Sequence, residues 1–532
     1  MERTFRLISG AAVLVLVLSL GATAGAQKRG GVLRMYSLDS PASMSILEEP
    51  TVYARGPMMS VFNNLLLFNQ HIAQDSLASI VPDLGESWAW GEDGKDLRVR
   101  LRQGVKWHDG KPFTAADVKC TWDLIMGEAK EKLRVNPWKS GYSNLDRLET
   151  NGDYEVTFHL KQPQPAFPML LANSFAPIYP CHVPPGQMRL HPIGTGPFKF
   201  VEFKPNESIK IARNPDYWKK ERPYLDGIEW TIIKDPSTAT LAFAAGKFDS
   251  TFLYSLTVPL LKNVKSQVPD AICEMTPQGG INRHLLVNYQ KAPFDNPLVR
   301  RAMSLALDRH AFIDTLAQGE GQIGGTLQPG PEGLWGMPPE ELSKLPGYGP
   351  DIAKNRSEGR QIMQKFGYGD GHRLAIKVTT RNIPDYRDAA VLLIDQLRHV
   401  YIDGELELID TPQYFPKILR KDYLIGLNLQ GSGPDPDPVI ALNYSCGSSL
   451  NWDSYCNPEI DKMTEQQSVE GDLERRKQLV WAIERKLAED GARPIIFYPK
   501  SGTCRQPYVK GLTLMVNSLF NGWRLEDVWL DK

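Results

Sequence analysis

Residues 374–410 read LAIKVTTRNIPDYRDAAVLLIDQLRHVYIDGELELID, and the spacing of their apolar side chains decides the fold class. Leu374, Ile376 and Val378 recur at period two, the pattern of a strand. Residues 386–399 switch to the helical period, with Leu393, Ile394 and Leu397 inward, and Glu405 to Leu408 returns as a strand. Strand, helix and strand in this order predict a parallel pair joined by a right-handed crossover. Open α/β sheets of this kind take ligands in the crevice beyond the carboxyl ends of their strands. Two segments fall at such ends: Thr380-Arg381-Asn382, and Gln430-Gly431-Ser432-Gly433-Pro434-Asp435 after the apolar run Tyr423 to Leu429. Their placement at one crevice is the first expectation about the site.

Outward from this unit the chain stays mixed α/β. Residues 97–101 and 154–160 alternate apolar and polar, as strands with one wet face do. Between them Thr114 and Asp117 form a capping box for a helix carrying Val118, Trp122 and Ile125. A second helix is predicted from Asn296 as N-cap and Pro297 at the first position, through Leu298, Ala302, Leu305, Phe312 and Leu316, to Gly319. A third runs between Asp472 and Gly491, burying Val480, Ile483 and Leu487.

The N-terminus predicts the compartment. Arg3 and Arg6 precede an apolar run from Leu7 to Leu20, and Ala24-Gly25-Ala26 closes the segment, as in a cleavable secretory signal over residues 1–26. The run is short for a membrane anchor, so a soluble periplasmic chain of 506 residues is expected, built from two or three lobes. It carries 59 basic and 61 acidic residues, a formal −2, which gives no reason to expect nucleic acid or an anionic membrane as partner. A monomer without cofactor or metal is expected; the nine His form no metal-like cluster.

Six Cys stand at 120, 181, 273, 446, 456 and 504. An oxidising compartment allows pairing. Cys446 and Cys456 bracket a Ser-, Asn- and Gly-rich segment that could close a disulfide loop. The pairing of the other four stays open, with simple buried thiols one reading and the favoured one for Cys120 on a helix.

Several stretches together resemble the family 5 extracellular solute-binding proteins, the dipeptide-, oligopeptide- and nickel-binding components of bacterial ABC importers. The first block is Leu84-Gly85-Glu86-Ser87-Trp88 followed by Gly104 to Val118, with Trp107-His108-Asp109-Gly110 at its centre. The second is Gly194-Thr195-Gly196-Pro197-Phe198 with Asn214-Pro215-Asp216-Tyr217-Trp218. The third runs from Pro293-Phe294 through Asn296-Pro297-Leu298-Val299-Arg300-Arg301-Ala302 to Asp308-Arg309. The resemblance implies a two-lobed, hinged periplasmic binding protein fold with an extra subdomain in the first lobe. It assigns residues 27–70, 193–285 and 500–532 to the first lobe, 71–192 to the subdomain and 286–499 to the second lobe. The implied function is capture of a small solute, a peptide or other organic acid, by lobe closure, and its delivery to a membrane permease.

Peptide-binding members hold the ligand's amino terminus with an Asp in the loop matching Gly431 to Asp437; Ser432 occupies that position here. A neutral Ser cannot match a buried ammonium, which puts a free α-amino peptide in doubt unless Asp435 replaces it. Arg381 is either a carboxylate clamp or a solvated Arg beside a turn. Asn382 and Gln430 are candidate contacts beside it, and Tyr36, Trp452 and Tyr455 are candidate pocket walls.

Catalysis has little support. His108 beside Asp109 invites an acid–base reading, yet Asp109-Gly110 is also a hairpin turn signal. Gly194-Thr195-Gly196 lacks the Lys of a phosphate loop and is read as a lobe-crossing turn. The nucleophile elbow and the zinc helix, the two motifs that would most readily point to a secreted hydrolase, are both absent, although convergent triads can escape such motifs. A periplasmic ligand sensor using the same closing fold stays open beside the importer reading.

Overall fold

The computed structural model describes residues 27–431 and 433–532. The expected leader over 1–26, and Ser432, lie outside the described residues. No helix among them is long and apolar enough to cross a membrane.

Three sheets carry the architecture. The first has the order Val32–Ser37, Gly227–Ile232, Ser208–Arg213, Phe198–Lys204. The second is an antiparallel four-stranded sheet inserted between those strands in sequence, in the order Gly85–Trp90, Asp96–Leu101, Glu155–Leu160, Leu145–Thr150. Its helix, Ala115–Met126, starts at the Thr114–Asp117 capping box and stops at Gly127, whose φ of 76° suits glycine. Val118, Trp122 and Ile125 of that helix are buried.

The third sheet is seven-stranded and contains the predicted crossover. Leu374–Arg381 pairs in parallel with Ile402–Ile409, from Leu374 opposite Ile402 to Arg381 opposite Ile409. Pro384–Leu397 is the connecting helix; Pro384 needs no hydrogen-bond donor at its first turn, and Ala389, Leu393 and Leu397 are buried beneath it. Ile425–Gly431 pairs in parallel with Leu374–Arg381 on its other side.

The strand Ile495–Arg505 is shared. Arg283 and His284 of Ile281–Val287 pair with Phe497 and Ile495 at one end, while Ile272–Pro277 pairs along its other end, Pro277 opposite Lys500 and Ile272 opposite Arg505. Isolated bridges then link Arg505 to Ser250 and Ser250 to Met35 of the first sheet. Two passages stand out at this strand: residues 277–281 connect its two partner strands, and residues 499–501 lie near where it changes partner. Gly279 sits at the first passage with φ +51°, where an added Cβ would stand 2.3 Å from the Leu519 backbone nitrogen.

Three expectations need correction. The helix foreseen from Pro297 to Gly319 is two helices, Pro297–Ala306 and Arg309–Ala317. Leu307 is extended, and the Asp308 side chain accepts from Ala311 N, capping a new start. Gly194-Thr195-Gly196, read as a lobe-crossing turn, instead returns the chain from the inserted sheet to the first sheet. Its glycines lie against the Val61 carbonyl, 1.9 Å from a Cβ built on Gly194, which leaves no room for another side chain. Finally, the four cysteines whose pairing was open, with Cys120 favoured as a thiol, are all bonded, Cys120 with Cys181 and Cys273 with Cys504. Cys273 and Cys504 face each other across neighbouring strands, and Cys181 is brought to the Cys120 helix by its backbone N–H donating to Asp117. Cys446 is bonded to Cys456.

Candidate functional site

A cavity of about 180 Å³ lies where the two halves meet. Tyr53, Trp138 and Phe175 wall it from the first half and its inserted segment; Arg381, Gln430 and Trp452 wall it from the second. It adjoins a chamber of about 380 Å³ through Tyr53, Ile383 and Asp385. Another of about 460 Å³ adjoins it through Pro50, Phe415 and Trp452. Arg381 and Gln430, one from each predicted strand-end segment, both line this cavity from adjacent parallel strands.

Arg381 is buried and fully engaged. Its Nη2 lies 2.9 Å from Asp39 Oδ2 and donates at 2.8 Å to Thr411 Oγ1, while Nη1 donates to the Tyr386 hydroxyl at 2.9 Å. Burial opposes its charge, but Tyr386 and Asp39 outweigh that and raise its pKa above the ordinary arginine value. Neither reading from sequence survives intact: Arg381 is not solvated, and its charge is already matched by a carboxylate.

Gln430 bridges two neighbours, donating to Asn443 and accepting from Arg493, whose charge is matched by Asp453 at 2.6 Å. Trp452 packs on Phe415, ring centroids 6.0 Å apart. The remaining candidates sit elsewhere. Tyr36 turns into the first core, its hydroxyl 3.3 Å from Ser255 Oγ. Tyr455 belongs to a separate cluster with Tyr444 and Ile483, its hydroxyl donating to Asp490 at 2.7 Å. Asp435 caps the helix Pro436–Tyr444 and pairs with Arg476 at 2.8 Å, so it offers no free charge in place of the missing acid. Asn382 donates to Asp410 on the exposed rim.

One functional candidate escaped the sequence reading. Arg55, 3% exposed, projects from the helix Val52–Met59 to the cavity wall. Its Nη2 donates to Asn173 and Ser174, its Nε has no partner, and among the described residues it forms no ion pair. Burial alone lowers its pKa to about 9. The signal for it was a lone cation in the run Val52-Tyr53-Ala54-Arg55-Gly56-Pro57-Met58-Met59.

The His108–Asp109 pair is scaffold. His108 Nε2 lies 3.1 Å from the Gly196 carbonyl and its Nδ1 accepts from Gly194 N, while Asp109 turns to His182 at 2.7 Å. Burial lowers the His108 pKa to about 4, which leaves it neutral at physiological pH.

Residues 79–451 match the family model described as bacterial extracellular solute-binding proteins, family 5 Middle. Among curated relatives, the di/tripeptide-binding protein 3 of Pseudomonas aeruginosa is 25% identical over 477 residues, 83% of this chain and 85% of that protein. Two solved structures share the fold. The Helicobacter pylori periplasmic binding protein DppA, in complex with peptide STSA, superposes with a TM-score of 0.81 at 22% identity, over 95% of this chain and 99% of that one. The A. tumefaciens R10 protein AgaA, in complex with agropinic acid, superposes at 0.80 and 21% identity, over 94% of this chain and 99% of that one. These relatives and neighbours are binding proteins, not enzymes. With a family match over well more than half its length, on a two-halved fold enclosing a cavity at the junction, the chain belongs to the family 5 bacterial extracellular solute-binding proteins.

Proposed function

We propose that this chain is the periplasmic binding component of an ABC importer, a monomer that encloses a short peptide or other small organic acid between two lobes and delivers it to a membrane permease. The observation that carries this reading is the junction cavity, whose walls come from both halves of the chain. Contacts of that kind exist in full only when the halves are together, so a ligand binding there shifts an open–closed equilibrium toward the closed form. The two passages at 277–281 and 499–501 support the lobe limits 285/286 and 499/500 to within a few residues. Arg381, Gln430 and Trp452 contribute second-lobe wall in this scheme.

The test is a thermal-shift screen of the chain from residue 27 against short peptides, organic acids, sugars and nickel chelates. A ligand that fills the cavity raises the melting temperature by mass action. X-ray scattering on the same samples should show a smaller radius of gyration with that ligand. Stabilisation without compaction would remove the closure mechanism.

A further inference from the structure

The charges around the cavity do not balance. Among the described lining residues, Arg381 is paired with Asp39, and Asp385 is paired with Arg283 at 2.8 Å. Arg55 alone has no carboxylate. Leaving a cation buried and unpaired is expensive, and this one is held in place by ring faces instead: its Cζ stands 3.8 Å from the Phe520 centroid and 4.9 Å from that of Trp138. Trp138 in turn stacks on Phe175 with centroids 4.8 Å apart and planes 8° from parallel. Such stacking steadies a guanidinium by its faces and does not consume its N–H donors. The indole N–H groups of Trp138 and Trp452, both in the cavity wall, are likewise buried without an acceptor. An indole N–H only donates, and so does a guanidinium. The walls thus supply unmatched donors and one unmatched positive charge.

We propose that Arg55 is the ligand anchor of this cavity and that the ligand presents it with a carboxylate beside an apolar or aromatic body, without a buried ammonium group. This inference rests on the binding-protein reading above and narrows it to a ligand class. The carboxylate supplies the missing counter-charge and accepts from Arg55, while Phe175, Phe520 and Trp452 cover the apolar part.

Isothermal titration of residues 27–532 with matched probes tests it: 3-phenylpropanoate against 3-phenylpropanamide, and N-acetyl-Ala-Phe against Ala-Phe amide. Each acid should bind at least tenfold more tightly than its uncharged or cationic partner. Arg55→Gln should erase that tenfold gap and Arg55→Lys should restore part of it. The wild-type acid-to-amide comparison needs no variant, so it stands even if Arg55→Gln does not fold. Amides binding as tightly as acids, or a folded Arg55→Gln protein that keeps the acid preference, would overturn the assignment to Arg55 and leave the binding-protein reading in place. If no acid, amide or free peptide binds the wild type, both fall together.

Discussion

Asp39 Oδ2 lies 2.9 Å from Arg381 Nη2, with both side chains buried, and the two residues come from opposite halves of the molecule. Asp39 follows the first strand of the first sheet; Arg381 ends the crossover strand of the third. Thr411 donates to the same carboxylate. The pair is a latch whose two sides separate if the halves part. Asp39→Asn leaves the Arg381 charge buried without a match, which costs about 3–5 kcal/mol. Arg381→Met does the same to Asp39, and the double substitution should recover much of the loss. Denaturant unfolding of all three variants checks this; additive losses would mean that the pair is not coupled in the folded protein.

Glu49 should give the stability a pH dependence. It faces Ser43, whose hydroxyl donates to it at 3.1 Å, with Arg134 3.9 Å away and Glu48 and Arg381 acting on it at longer range. Burial dominates and pushes its pKa up to about 7 from 4.5. The folded protein thus holds this proton more tightly than the unfolded chain does. Its contribution is most favourable below about pH 4.5 and is lost as pH rises to about 7. Glu49→Gln should therefore be more stable than the parent at pH 8, by about 3 kcal/mol at most, with the difference vanishing near pH 4.5. A constant difference across pH 4.5–8 would show that Glu49 does not titrate in this range.

The Cys446–Cys456 bond closes a loop with a sequence separation of 10. Loop-closure entropy for that length amounts to about 3 kcal/mol. The double change Cys446→Ala, Cys456→Ala should lower the unfolding midpoint accordingly. Because this loop holds Trp452 against the cavity, it should also weaken ligand binding. A variant with unchanged affinity would detach the loop's order from the site.

Gly279→Ala should disturb the passage between the halves. The new methyl group would meet the Leu519 backbone, whose N–H now donates to the Gly279 carbonyl at 2.8 Å. A loss of about 2 kcal/mol is expected, together with a larger radius of gyration in the presence of ligand. Retained compaction would place the pivot elsewhere.

Local rules made much of this fold legible. The switch from period two to the helical period located the crossover unit, and Thr114 with Asp117 located a helix start, because both signals lie within a few residues. The Leu307–Asp308 break was missed because apolar spacing continues across it, although Asp308 carries the N-cap chemistry that interrupts the helix. Cys273 and Cys504 are 231 residues apart, so only the pairing of their two strands brings them together. The site was least legible. Arg381 was found by its place at a strand end, but its partner Asp39 is 342 residues away. Arg55 lacked any local pattern, since what sets it apart is a missing counter-charge that only the assembled walls reveal.

The strand Ile495–Arg505 completes the hydrogen bonding of Ile272–Pro277 at one end and of Ile281–Val287 at the other. It also comes long after both of them in sequence. A polypeptide delivered N-terminus first can form its inserted sheet early, yet neither Ile272–Pro277 nor Ile281–Val287 can complete its pairing until that strand has emerged. Pairings of such long sequence separation form slowly. The order of the strands thus delays completion of this sheet until Ile495–Arg505 has been delivered, so a chain truncated before Ile495 should leave both partner strands open-edged and prone to degradation.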